Sequence, residues 1–191
     1  MAENTAESRQ RLVAGAADMM RRRGLNATSV RELAKHAQAP LGSTYHYFPG
    51  GKYELAAEAV RWADELTTRA LVNELQAGPL AGLRAFLKMW RKIVVDSDFR
   101  AGCPVLAASV EDLPEDGTAP RDAAATAFGN WTSLLAQSMR DHGASEAESL
   151  ATLIVAAVEG SVAMCRAQRS TDSLDQIAAQ LESLVAAVTD R

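Results

Sequence analysis

All three tyrosines of the 191-residue chain, Tyr45, Tyr47 and Tyr53, fall within nine residues, interleaved with His46, Phe48 and Lys52. Just upstream stand Thr28, Ser29, Arg31, Ser43 and Thr44. Hydroxyls of serine, threonine and tyrosine donate to phosphate oxygens and base edges, and a lysine ammonium supplies the salt-sensitive attraction that comes from displacing counterions. Gathered on short helices, such side chains suit a DNA major groove, although Tyr45, His46 and Tyr47 could instead be packing residues. No H-E-x-x-H, G-x-S-x-G or phosphate-loop pattern occurs, and Gly42 lies in no glycine-rich loop, so no catalytic centre is expected.

The flanking residues dictate how this cluster is carried. Leu12, Val13, Ala16, Ala17 and Met20 share one face of a helix over 8–23, which Gly24 stops. Arg21, Arg22 and Arg23 then occupy a last turn where the helix dipole favours cations, and they read as a solvated helix end. Ser29 with Glu32 three residues later forms a capping box that opens a second helix over 30–37. Pro40 biases Ala39 out of the helical region and can start a third helix, 41–47. Helix, short turn, short helix is the spacing of a helix-turn-helix.

After Gly51 a long helix to about residue 76 presents Leu55, Ala59, Trp62, Leu66 and Ala70 as its buried stripe. Further helices are expected over 80–95, 105–110 and 120–142, with 113–119 a mobile acidic loop. A second capping box, Ser145 with Glu148, should open a helix to about residue 168, and a last helix carries Leu174, Ile177, Leu181, Leu184, Val185 and Val188. The class is therefore all-α, with about nine helices. Alanine, the best helix former, occurs 37 times, while only 10 residues are aromatic, which argues against a β-sandwich or barrel.

A net charge of −4 conceals a division. Residues 8–52 carry eight basic and two acidic side chains, a sum of +6, whereas the chain from Tyr53 onward sums to −8. A basic quarter thus precedes an acidic helical body. The longest clean apolar run, 153–158, falls far short of the roughly 20 residues a membrane span needs, and the polar start lacks a signal-peptide core, so a cytoplasmic protein without a membrane partner is expected. Cys103 and Cys165, 62 positions apart, suggest neither disulfide nor zinc, and no metal or other cofactor is expected. His36 and His142, lone histidines near helix ends, read as capping or solvated. Trp62, Leu66, Phe86, Trp90, Cys103, Phe128, Trp131 and Met164 are core by default but also fit an aromatic-lined pocket for a small apolar ligand.

The segments Thr28-Ser29-Val30-Arg31-Glu32-Leu33-Ala34-Lys35 and Ser43-Thr44-Tyr45-His46-Tyr47-Phe48-Pro49, followed by Lys52, resemble the DNA-binding domain of the TetR family of bacterial repressors. The segments Gly102-Cys103-Pro104-Val105-Leu106-Ala107 and Glu159-Gly160-Ser161-Val162-Ala163 are similar to its lincomycin-resistance and flavonoid-responsive branch. The resemblance implies a DNA-binding domain over 1–51 and a helical ligand-binding and dimerisation domain over 52–191. Thr28, Ser29, Arg31, Ser43, Thr44, Tyr45, His46, Tyr47 and Lys52 would then meet DNA, with Phe48 locking the third helix into the core. It further implies a homodimer on a palindromic operator, released by a small apolar or aromatic effector. Leu150, Leu153, Ile154, Ala157, Ser161, Leu181, Leu184 and Val188 would form a four-helix dimer interface.

Three positions depart from the family pattern. Gln38 stands where the turn normally has glycine, so either its side chain is strained into the left-handed region or the turn is shaped differently. Leu41 replaces a commonly polar or basic residue, offering instead an apolar contact to a thymine methyl. The spacing Phe48-Pro49-Gly50-Gly51-Lys52 is one residue longer than the commonest form. Gln38 and the extra glycine motivate an alternative: a small-molecule-binding helical dimer with a degenerate DNA-binding module.

Overall fold

The computed structural model describes residues 2–189, with side chains from residue 6, so Met1, Asp190 and Arg191 of the expected domain limits lie outside the described residues. The described residues form α1 (Ala2–Arg23), α2 (Val30–His36), α3 (Leu41–Tyr47), α4 (Gly51–Leu75), α5 (Pro79–Asp96), α6 (Pro104–Ser109), α7 (Ala119–Asp141), α8 (Ala147–Gln168) and α9 (Asp172–Thr189), with a 3-10 turn at Glu115–Gly117 and no strand among them. The chain builds two compact units. One gathers the chain up to Asp64 with Cys103–Ala127, and the other gathers Glu65–Gly102 with the chain from Phe128 onward.

In the first unit, α1 packs on α2, α3 and α6. Its stripe of Leu12, Val13, Ala16, Ala17 and Met20 is buried, as the periodicity requires, together with Leu25, Leu33 and Phe48. Gly24 ends α1 at φ 79°, its N–H donating to Met20 O at 2.9 Å. Arg21, Arg22 and His36 all converge on Asp18 at 2.6, 3.0 and 2.9 Å; the two arginine pairs lie within the last turns of α1, and the His36 contact ties that end of α1 to α2. They are not simply solvated. Burial pushes the Asp18 carboxyl up, but the hydrogen bonds and charges of Arg21 and Arg22 outweigh it and hold the group below the usual carboxylate range.

The second unit is an α5, α8 and α9 layer with the second part of α7. Arg84 and Arg91 of α5 pair with Glu182 and Asp175 of α9 at 2.8 and 2.9 Å. Inside it, Phe86, Trp90 and Trp131 are buried and meet as rings 6.0 to 6.3 Å apart, with Phe128 edge-on to Trp131 at 5.6 Å. Tilted and edge-on rings at these separations are the favoured aromatic geometry.

Four expectations need correction. The Ser145–Glu148 capping box does not form: α8 begins at Ala147 after Glu146 with no side-chain cap, because Glu148 pairs instead with Arg140 of α7. Within 113–119 the chain forms a 3-10 turn at Glu115–Gly117 and Ala119 begins α7, and Gly117 is buried so close to Tyr53 that a Cβ there would lie 3.0 Å from the ring. Along α4 the buried stripe runs Leu55, Ala59, Thr67 and Leu71, a four-residue rhythm that rotates Leu66 outward to 42% exposure and leaves Trp62 half-buried. Finally, α8 as a whole is long and apolar enough to cross a membrane by composition, although no apolar run in it is. Its apolarity is divided between a buried face (Ile154, Val158, Val162, Cys165) and an exposed one of mostly small residues.

Candidate nucleic-acid interface

Two short helices present the cluster, and each is started by a local device. Ser29, extended at φ −110°, accepts from Glu32 N–H through Oγ at 3.2 Å, while Ser29 N–H donates back to Glu32 Oε2 at 2.9 Å. This reciprocal box satisfies two donors that the first turn of α2 would otherwise leave unpaired. The hydrogen bonds from Ser29 also hold the Glu32 carboxyl below its ordinary range. Between α2 and α3 the chain turns at Gln38, whose φ of 53° places a non-glycine residue in the left-handed region. Of the two possibilities the sequence left, the first is the one adopted: the family-like turn is kept and the side chain bears the strain.

The face that α3 offers follows from what it buries. Thr44 and Phe48, one turn apart, are fully buried. Phe48 is held between the core and the Arg9 guanidinium, which lies 5.1 Å from its ring centroid and pairs with Glu58 of α4 at 2.5 Å. Burial raises the Glu58 carboxyl, but Arg9 and Arg61 together bring it below the usual range. With that face fixed inward, Leu41, Gly42, Tyr45 and His46 are exposed, Tyr45 to 53%, and Ser43 and Tyr47 are half-buried. His46 stands edge-on to Tyr47 with ring centroids 5.2 Å apart. A Cβ at Gly42 would meet only open space, so no described residue crowds that position.

The additional glycine has a local solution. Gly51 adopts φ 71°, its N–H donates to Phe48 O at 2.9 Å, and Gly50 N–H donates to Glu54 Oε2 at 2.7 Å. The extra residue is therefore taken up in a left-handed turn that only glycine adopts without cost. Lys52 follows in the first turn of α4, half-buried, with its ammonium 5.7 Å from the Tyr53 ring centroid.

Two of the nine expected contacts are corrected. Thr28 is buried and its Oγ1 donates to Leu25 O at 2.8 Å, and the Thr44 side-chain oxygen is buried without a hydrogen bond. Both hydroxyls point into the unit, so these residues position the helices and do not face solvent. Ser29, Arg31, Tyr45 and His46 are exposed, and Ser43, Tyr47 and Lys52 partly so. Sequence reasoning passed over Lys35, exposed one turn beyond Arg31 on α2; the i, i+4 spacing was the available signal.

The expected pocket and interface residues divide similarly. Trp62 and Cys103 belong to the first unit, where Cys103 is buried at the start of α6 and its Sγ accepts from Leu106 N–H at 3.4 Å. Phe86, Trp90, Phe128 and Trp131 form the ring cluster of the second unit, whereas Leu66 and Met164 are 42% and 47% exposed and leave that interior. Ile154, Ser161 and Leu181 are interior residues of the single chain and are corrected from interface to core. Leu153 and Leu184 are exposed, and Leu150, Ala157 and Val188 half-buried.

A capped short helix, a tight left-handed turn and a second short helix with an exposed polar-aromatic face define a helix-turn-helix DNA-binding protein. Residues 12–59 match the model of bacterial regulatory proteins of the tetR family, and residues 79–180 match that of the transcriptional regulator LmrA/YxaF-like C-terminal domain. An uncharacterized HTH-type transcriptional regulator of Mycobacterium tuberculosis, Rv0196, is 39% identical over 185 residues, 94% of each chain. LmrA of Bacillus subtilis is 28% identical over 184 residues, covering 94% of this chain and 97% of its own. A crystal structure of regulatory protein TetR from Rhodobacter sphaeroides superposes with a TM-score of 0.80 at 25% identity, covering 91% of this chain and 96% of that one. A cysteine mutant of the TetR family regulator CifR, complexed with 26-bp double-strand operator DNA, shares the fold with a TM-score of 0.74 at 22% identity over 91% of this chain and 94% of its own. The chain belongs to the TetR family of DNA-binding transcriptional regulators, with an LmrA/YxaF-like C-terminal region. Its relatives are bacterial transcriptional regulators and not enzymes.

Proposed function

We propose that this regulator is a cytoplasmic, ligand-responsive repressor that binds a palindromic operator as a homodimer and is released by a small apolar or aromatic effector. Residues 1–51 would serve as the DNA-binding domain and 52–191 as the ligand-binding and dimerisation domain. The observation that carries the DNA reading is the outward presentation of Tyr45 and His46 on a helix whose Thr44 and Phe48 are locked inward. Arg31, Tyr45, His46 and Tyr47 reach base edges in the major groove, Leu41 meets a thymine methyl, and Lys52 binds a phosphate. Two-fold symmetry of the dimer would be matched by two half-sites about one helical turn apart.

The second copy would cover the exposed apolar residues Leu153, Met164 and Leu184 of α8 and α9, flanked by Leu150, Ala157 and Val188. The effector would enter among Phe86, Trp90, Phe128 and Trp131. It must bind the DNA-incompetent conformation more tightly than the competent one, since equal affinity shifts nothing.

Fluorescence anisotropy with the duplex upstream of its own coding sequence tests the DNA reading. Tyr45→Ala should weaken binding roughly tenfold or more and change sequence preference, while Lys52→Ala should weaken binding to all sequences and lower the salt slope by about 1. Absence of tight binding at moderate salt, or wild-type affinity in both variants, would sink the reading.

A further inference from the structure

We infer that Glu111, 86 residues from the turn it holds, is a positioning residue for DNA binding. The inference rests on the DNA-binding role of α2 and α3 and adds a residue that faces no DNA.

The turn between α1 and α2 has a specific need. Gly24 stops α1 in the left-handed conformation, so the next peptide N–H, that of Leu25, leaves the helical ladder. Leu25 is fully buried, and a buried backbone N–H without an acceptor costs about 1–3 kcal/mol. Glu111, just beyond α6, supplies the acceptor: Leu25 N–H donates to its Oε1 at 2.8 Å, a charge-assisted bond of the stronger kind.

Two neighbouring contacts show that the carboxylate is fitted to this place. A Cβ on residue 24 would collide with the same Oε1, so glycine is needed there for the approach of Glu111 as well as for its φ. Alongside, the Asn26 side-chain amide donates to Asp112 O at 3.1 Å. Residues 24–26 are thus gripped by residues 111 and 112.

From Leu25 the constraint passes directly to the DNA-facing helix. Leu25 O accepts from both Thr28 N–H at 3.1 Å and Thr28 Oγ1 at 2.8 Å. Thr28 precedes the Ser29 cap, which sets the start of α2 and the position of Arg31. Leu25 is therefore fixed on both sides of its Cα, by Glu111 through N–H and by Thr28 through the carbonyl. Every link is a hydrogen bond between named atoms or a step along the chain, and all lie within one compact unit. Loss of Glu111 frees the turn without removing any group that could touch a phosphate or a base.

The test uses two side chains of similar length in the full-length protein. Glu111→Met keeps the stem and removes the acceptor, whereas Glu111→Gln keeps a carbonyl oxygen at Oε1. Anisotropy with the upstream duplex is measured across a salt series, and exchange of the Leu25 amide is followed by NMR without DNA. Glu111→Met should weaken binding about tenfold with an unchanged salt slope and speed Leu25 exchange about tenfold, while Glu111→Gln stays within about threefold of wild type in both. Faster exchange with unchanged affinity would show that Glu111 anchors the turn but does not position α2 for DNA, and would overturn the inference while leaving the DNA-binding role intact. A reduced salt slope, or equal loss in the glutamine variant, would overturn it in favour of a direct electrostatic effect. If the wild-type protein binds no duplex from its upstream region, the operator reading fails and the inference fails with it.

Discussion

The proposed recognition face and the aromatic body of this regulator are assembled by different means. The face is made of exposed side chains on two helices of seven residues each, too short to be stable alone, and its geometry is set by single hydrogen bonds and left-handed residues at the turns. The body is made of large rings removed from water, among them Trp131 with no exposed surface, and its geometry is set by many weak contacts at once. A DNA-reading surface therefore depends on a few local devices each worth about 1 kcal/mol, while the body depends on side chains worth several times that.

Removing one element from each region puts the difference to measurement. Trp131→Ala, which deletes the ring that Phe86, Trp90 and Phe128 all touch, should destabilise the protein by about 3–5 kcal/mol in urea melts. A loss below 1 kcal/mol would mean that the cluster is loosely packed and that the contrast is wrong. Ser29→Ala removes the Oγ that accepts from Glu32 N–H and donates to Glu32 Oε2, leaving the backbone half of the capping box, and should cost about 1 kcal/mol. Its larger effect should be on DNA affinity, because the start of α2 becomes undefined. Equal proportional losses in stability and affinity would blur the distinction between the two regions.

How far each region could be read from sequence follows the same division. The α3 limits, the Ser29–Glu32 box and the stop at Gly24 were legible because each follows from residues within one turn of the chain, whereas the burial of Phe48 was legible only through the family resemblance. Gln38 was legible as a problem, and the structure supplied its answer. Where competition from distant residues decides, the reading failed: Glu148 has a capping role available at Ser145 but pairs with Arg140, and Leu66 lies on a plausible stripe that the rhythm of Thr67 and Leu71 displaces. Ile154 and Leu181 have the same apolar character as Leu153 and Leu184, and only packing shows which pair is interior. The grip of Glu111 on Leu25 joins residues 86 apart and leaves no pattern in the sequence.

Thr44 offers a gain where the other substitutions bring losses. Its side-chain oxygen is buried with no hydrogen bond, so Thr44→Val replaces an unsatisfied hydroxyl by a methyl of nearly the same shape. Stability should be unchanged or raised by up to about 1 kcal/mol, and DNA affinity should stay at the wild-type level. Weaker binding without loss of stability would restore Thr44 to the DNA-contacting set.

The smallest expected effect belongs to Asp18, whose ion pairs with Arg21, Arg22 and His36 are partly solvated. Pairs of this kind contribute only about 0–1 kcal/mol each. Because the folded-state carboxyl lies below its ordinary value of 3.8, its contribution is fully present above that value and is lost as pH falls through the lowered one. Comparison with Asp18→Asn isolates it: the wild type should be slightly the more stable at about pH 7, and the two should converge as pH falls through the lowered folded-state value, below which the aspartate is protonated in both folded and unfolded chains. Divergence growing on the acid side would require a raised carboxyl, with burial winning over the two guanidinium groups. The end of α1 would then be held to α2 by packing, as the aromatic body is, and not by the local polar contacts that characterise the rest of the recognition face.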